Sequence, residues 1–226
     1  MEVIPASLLE PLFPSEIFGT GRLVEVDLGS GPGKFLVESA RRFPERNFLG
    51  IERLLGRVRK TCRAASMIGL TNVRVLRLEL DYTVRYLLPE NSIWRFHLNF
   101  PDPWPKRRHH ARRVVDDEFL QAIHRSLLEG GELWIKTDYE SYFQNIERVA
   151  TRTDLWTPLE WAEEGYPRTD FEDQFLAKDL PIYRLRLGKR NSDPTKFRIL
   201  SSPQQRAVVT DPPCLRKKQS GGAPYP

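Results

Sequence analysis

Long apolar runs are missing from this 226-residue chain. None approaches the roughly 20 residues that a membrane-spanning helix needs, so no membrane partner is expected. The N-terminal stretch MEVIPASLLEPLFPSEIFG has neither the basic start nor the continuous apolar segment of a secretory signal. Cysteine is scarce: Cys62 and Cys214 stand far apart, with neither the density of a disulfide framework nor the spacing of a zinc site. A reduced, cytoplasmic protein without a metal is the expectation. Histidine is scarce as well, with four in all. His97 falls in an apolar run and His109 and His110 in a basic one; none has an evident partner, so no histidine nucleophile or base is expected.

What the chain does contain is enough apolar material, 40% hydrophobic with 11% aromatic, to build the core of one ordinary domain. The net charge of +5 is modest, but its distribution is uneven. Lys106–Arg113, KRRHHARR, packs five Lys/Arg and two His into eight residues without an acid, which suits nucleic acid phosphates. Residues 1–22 are Pro-rich and irregular and read as a mobile arm. From residue 23 short apolar runs (24–28, 47–52, 73–78, 94–100, 132–136, 182–187) alternate with segments of helical spacing (34–43, 54–69, 117–128, 142–150). Such alternation predicts an α/β domain over residues 23–190, with βαβ units and a mostly parallel sheet. Residues 191–226 turn polar and rich in Pro, Ser and Gln, and read as a disordered tail. In folds of this class ligands bind beyond the carboxyl ends of the strands. Gly29, Glu52, Glu79, Asp102 and Asp138 all fall there.

The first strand runs into D-L-G-S-G-P-G-K-F, Asp27–Phe35. Gly29, Gly31 and Gly33 allow a tight turn and close approach to a ligand at a helix N-terminus. A Walker phosphate loop would need Ser or Thr after Gly33-Lys34, where Phe35 stands, and the dinucleotide fingerprint would need its third glycine one residue later. Glu52 closes the second strand; the resemblance of this loop to that of the class I S-adenosylmethionine-dependent methyltransferases implies that it accepts from both hydroxyls of a ribose.

The fourth strand ends in N-F-P-D-P-W-P-K-R-R-H-H-A-R-R, Asn99–Arg113. Its prolines stiffen the corner and present Asp102, whose carboxylate can accept from the N1–H and N2–H₂ edge of guanine. Trp104 can stack on a base or belong to the core. The basic run follows at once, where it can hold phosphates beside that base.

The glycine loop with its leading acid resembles the first motif of class I S-adenosylmethionine-dependent methyltransferases. F-P-D-P-W-P-K-[KR]-R-H-x-x-R-R resembles the signature of the bacterial tRNA (guanine-N7-)-methyltransferases, the TrmB family. Thr137-Asp138, Arg168–Glu172 (R-T-D-F-E) and Pro181–Leu185 (P-I-Y-R-L) resemble that family's later motifs. The resemblance implies a Rossmann-like class I methyltransferase fold, with a mostly parallel seven-stranded sheet and helices on both faces. It implies S-adenosyl-L-methionine as cofactor and transfer of its methyl group to N7 of the variable-loop guanine, position 46, of tRNA, by a monomer or homodimer. Carried over by motif, the cofactor falls on Asp27, Gly29, Gly31, Gly33, Glu52, Glu79 and Asp102. Substrate falls on Lys106, Asp138, Thr169, Asp170, Phe171 and Glu172, and RNA contacts on Arg108, His109, His110, Ala111, Arg112 and Arg113. Asp102 is the catalytic candidate. Glu79-Leu80-Asp81 departs from the family pattern, leaving open which carboxylate faces the adenine. Thr169 and Glu172 also fit a helix capping box, and Asp138 fits a helix N-cap.

N7 of guanine carries a lone pair and no proton, so its methylation needs no general base; orientation and nearby carboxylates would carry the catalysis. Three alternatives are open at this point. They are methylation of another base or an exocyclic amine, a nicotinamide-dependent Rossmann oxidoreductase, and an RNA-binding protein with an inactive methyltransferase fold.

Overall fold

In a computed structural model, which describes residues 1–162 and 165–190, each apolar run becomes a strand because its inward and outward side chains both find cover. The strands are β1 (Glu2–Val3), β2 (Val24–Leu28), β3 (Asn47–Ile51), β4 (Val73–Leu76), β5 (Ile93–Asn99), β6 (Leu127–Thr137), β7 (Trp156–Leu159) and β8 (Tyr183–Lys189). They form one sheet in the order β1-β4-β3-β2-β5-β6-β8-β7. Pairing is parallel from β1 to β6 and antiparallel where β8 lies between β6 and β7.

Helices cover both faces. Alternation along β3 sends Phe48 toward α2 (Lys34–Arg42) and α3 (Leu55–Met67), into a cluster with Leu36, Ala40, Val58, Val73 and Val75. Leu49 and Ile51 point the other way, into the larger core with Val26, Phe96, Leu133 and Ile135. Phe119 and Ile123 of α5 (Asp117–Ser126) and Tyr142 and Ile146 of α6 (Glu140–Ala150) close that side. Most of these side chains are fully buried, a contribution of about 1.5–3 kcal/mol each.

The sheet has eight strands against the seven expected. The additional edge strand is β1, where Met1 C=O accepts from Val75 N–H at 3.0 Å and Glu2–Val3 pair with Val75–Leu76. The segment read as a mobile arm is therefore tied down at its start. It is held again through α1 (Pro14–Phe18), whose Phe18 is buried. β7 contains Pro158 and lies at the opposite edge, where no ladder partner is lost to the missing N–H. The helix read as 117–128 ends at Ser126, and β6 begins at Leu127. Gly131 explains the tight junction: a Cβ there would stand 2.9 Å from the Trp94 carbonyl oxygen of β5. The reading of 191–226 as a tail lies outside the described residues. No helix among the described residues is long and apolar enough to cross a membrane.

Candidate functional site

The carboxyl ends of β2 to β6 carry the site. Gly29, Gly31 and Gly33 all adopt positive φ, at 73°, 55° and 83°, a region that glycine enters at no steric cost. At Gly33 the requirement is double, because a Cβ would stand 2.3 Å from Thr61 Oγ1 of α3. The loop is hung from β3 by Gly29 and Ser30 N–H, which both donate to Ile51 C=O. Glu52, buried at the end of β3, accepts from Gly31 N–H at 3.1 Å and from Leu54 N–H at 2.8 Å.

Asp27 is buried beside this loop, and its one hydrogen-bond partner among the described residues is Asn99 Nδ2 of β5, at 3.4 Å. Burial pushes its carboxyl up to about 7; the Asn99 hydrogen bond works against that rise and the charge of Glu52 adds to it. The folded chain thus holds a proton that the unfolded chain releases between the ordinary value of 3.8 and about 7. Through this group, stability falls as pH rises across that window and levels off above it. A cationic ligand reverses the preference and favours the ionised carboxylate. Affinity for a cationic ligand seated beside Asp27 is therefore expected to weaken below about pH 7, by at most about tenfold per unit. Calorimetry in buffers of different ionisation enthalpy should register proton release on binding. Asp27→Asn should flatten that profile and raise the melting temperature at pH 8. A profile in the variant as steep as in the wild type would refute the assignment.

Across the sheet, Phe100 and Trp104 hold positive φ of 52° and 42°, although each precedes a proline that disfavours such geometry. Strain of about 1–3 kcal/mol per residue is held in place by five contacts. Phe100 N–H donates to Lys136 C=O at 2.8 Å, and the Phe100 ring packs 5.8 Å from Phe171 and 5.4 Å from Phe175. Arg113 Nε donates to Pro103 C=O at 2.8 Å, and its guanidinium lies 4.7 Å over the Tyr142 ring. Arg113, expected on RNA, is thus turned inward as a brace and buried; the rest of the basic run remains outside. Arg107–Arg112 form a 3₁₀ helix in which Arg112 covers Trp104 at 5.0 Å and His109 meets it edge-on. Lys106 and Arg108 are exposed, as are His110 and Ala111. Asp102 is exposed on the strained corner and, among the described residues, has no hydrogen bond or ion pair.

Asp138 is half-buried just past β6 and has no side-chain partner either. The N-cap of α6 is Tyr139, without a side-chain cap, and it is Thr137 Oγ1 that accepts from Tyr139 N–H. The capping reading of Asp138 therefore fails. The capping reading of Thr169 and Glu172 holds: both reciprocal bonds of the box are present at the start of α7 (Asp170–Ala177), each 3.0 Å. Glu172 also accepts from the buried Lys136 Nζ at 2.7 Å. Asp170 and Asp173 pair with Lys34 at 3.1 and 2.6 Å, which ties α7 to the helix behind the glycine loop. Phe171 is 52% exposed. After β4, Glu79 is exposed and caps the short helix α4 (Leu80–Tyr82) through Tyr82 N–H. Asp81 is taken by Arg85 at 2.7 Å.

One cluster could not be read from residue order. Beneath the site Glu25 of β2, fully buried, accepts from His97, Tyr166 and Arg46, each at 2.7–2.8 Å. Burial opposes the charge of Glu25, but the hydrogen bonds from His97, Tyr166 and Arg46 outweigh it and hold the carboxyl at about 2. Burial pushes His97 down against the pull of Glu25, so a neutral ring donates from Nε2. Arg95 Nη1 also donates to the Tyr166 hydroxyl. Tyr166 is thereby moored inside the fold, three residues before Thr169.

A family model described as "Putative methyltransferase" matches residues 21–185. A tRNA (guanine-N(7)-)-methyltransferase of Syntrophotalea carbinolica is 33% identical over 211 residues, 90% of each chain. The Thermotoga maritima protein of the same name is 38% identical over 171 residues, 74% of this chain and 54% of that one. Among solved structures, the antibiotic-resistance methyltransferase Kmr superposes with TM-score 0.54 at 19% identity, covering 79% of this chain and 92% of that one. An rRNA methylase from Streptococcus thermophilus gives 0.52 at 16%, covering 78% and 92%. These two likenesses carry the fold.

Proposed function

The chain belongs to the tRNA (guanine-N(7)-)-methyltransferase family, and from that premise we propose that its site methylates N7 of the variable-loop guanine, position 46, of tRNA. The observation that carries the reading is the Asn99–Asp27 hydrogen bond. Through it the strained corner bearing Asp102 is joined to the buried acid of the glycine loop, so that cofactor and base are held by one piece of structure.

The residues present suit S-adenosylmethionine. A loop opened by three positive-φ glycines receives its amino-acid part. A buried carboxyl with no cation on it answers its positive charge, and Glu52 answers its ribose. Of the two acids after β4, the adenine falls to Glu79, whose carboxylate meets a backbone N–H of Tyr82, whereas the Asp81 charge is held by the Arg85 cation. The cofactor supplies an activated methyl group on a sulfonium. The chain's own residues do the rest. Asp102 and Asp138, both without partners among the described residues, take the guanine edge and offset the positive charge that develops on its imidazole ring. Phe171 and Phe100 border the base. Lys106, Arg108, His109, His110 and Arg112 hold the flanking phosphates. Because N7 has no proton to lose, alignment replaces a general base. Residues 23–190 form the catalytic domain.

Labelled methyl transfer to unmodified tRNA, with the variable-loop guanine present or replaced by adenine, tests the target. Label is expected on the first RNA and on less than about one hundredth of the second, as a missing hydrogen-bonding edge costs 10⁴–10⁵ in well-fitted sites. Equal labelling would refute the position.

A further inference from the structure

The apolar spacing of α3 hides an unusual outer face. The helix reads LGRVRKTCRAASM, with four basic residues and no acid, and Arg53 stands just before it. Val58, Thr61 and Ala65 are buried against the sheet. At 3.6 residues per turn, Arg59, Lys60 and Arg63 then fall within about 100° of arc on the opposite side, and all are exposed. Among the described residues none of these three has a hydrogen bond or an ion pair.

A solvated charge run is the ordinary explanation of such a face, yet several exposed cations on other helices of this fold are paired. Arg41 meets Glu38, Lys34 meets Asp170 and Asp173, and Arg152 meets Asp117. The charges of α3 also oppose the helix twice. Arg59 and Arg63 repel each other at i,i+4, and Arg57 lies in the first turn, near the positive end of the helix dipole. An external anion relieves both conflicts. Position supplies the candidate. α3 starts at the carboxyl end of β3, and β3 is separated from β5, which leads into the basic corner, by β2 alone. With strands about 4.8 Å apart, the strand ends that lead into the two basic surfaces lie about 10 Å from each other at the same end of the sheet. A folded RNA whose target base is in the site is large enough to cover both.

We propose that the outer face of α3, carried by Arg59, Lys60 and Arg63, is a second tRNA-binding surface that contacts phosphates away from the reacting guanine. This rests on the reading of tRNA as the substrate.

The test is the triple variant Arg59→Gln, Lys60→Gln, Arg63→Gln. Arg57 is left native because its guanidinium reaches Glu52 at 3.5 Å. The dissociation constant for tRNA is measured from 50 to 200 mM salt, beside cofactor affinity, kcat at saturating tRNA and melting temperature. Loss of two or three phosphate contacts should weaken tRNA binding about tenfold or more at the low-salt end and make the slope of log K against log salt shallower by about 2 to 3. Cofactor affinity and kcat should stay at the wild-type values. A companion variant, Arg59→Lys with Arg63→Lys, keeps the charge and should keep the wild-type slope. A triple variant that binds tRNA with wild-type affinity and slope overturns the proposal while leaving the substrate reading intact. A wild-type protein that neither binds nor methylates tRNA overturns both.

Discussion

Asp102→Ala should lower kcat for tRNA methylation by about 10²–10³-fold, the loss typical when one preorganised electrostatic group is removed from a reacting centre. The melting temperature should move by no more than about 2 °C, because an exposed side chain without partners is worth about 0.5 kcal/mol or less to the fold. Both halves follow from one circumstance. The backbone around Asp102 is held by the Phe100–Lys136 and Arg113–Pro103 hydrogen bonds, whereas its carboxylate has no protein partner. Asp102→Asn separates charge from shape: it retains one acceptor, so a deficit as deep as that of alanine would assign the effect to charge. Turnover near the wild-type rate in the alanine variant, measured with labelled cofactor and tRNA, would remove Asp102 from the catalytic role.

The strands that build the site were legible because they are central. Val24–Leu28 and Asn47–Ile51 are buried at every position, and burial on both faces leaves a short run rich in apolar residues. The edges were not. Glu2–Val3 is two residues long and Trp156–Leu159 carries a proline, so neither has a period to detect. The motifs located the site's corner but not the direction of each side chain. Arg113 sits in an unbroken basic run, and nothing in that run distinguishes the one guanidinium that turns onto Tyr142. His97 had no partner within reach in sequence; its partner Glu25 is 72 residues away, on the neighbouring strand. The same holds for α3. Its apolar spacing was visible, but the loneliness of its charges is a property of what surrounds them, which only the fold shows.

Glu172 is a side chain that the family motif assigns to substrate and that the fold uses for stability, and its variants should separate the two. It is 2% exposed; one oxygen completes the capping box with Thr169 N–H and the other takes the Lys136 ammonium. Glu172→Ala strands that ammonium 5.4 Å from the Trp161 ring and opens the start of α7. Breaking one member of a buried pair costs about 3–5 kcal/mol, which in a domain of this size lowers the melting temperature by about 6–20 °C. Activity should be lost with it, since α7 carries Phe171 and the Asp170–Lys34 tie to the glycine loop. Glutamine still serves at this position of a capping box, so Glu172→Gln should recover part of the stability while leaving Lys136 without its counter-charge. Asp138→Ala supplies the contrast. Its side chain supports nothing in the fold, so its melting temperature should match the wild type while kcat/KM for tRNA falls by about 10²-fold. If Glu172→Ala melts with the wild type yet loses activity, the carboxylate acts on substrate alone and the mooring of α7 assigned to it is wrong. If it melts low and recovers full activity at reduced temperature, its place at the substrate is wrong instead.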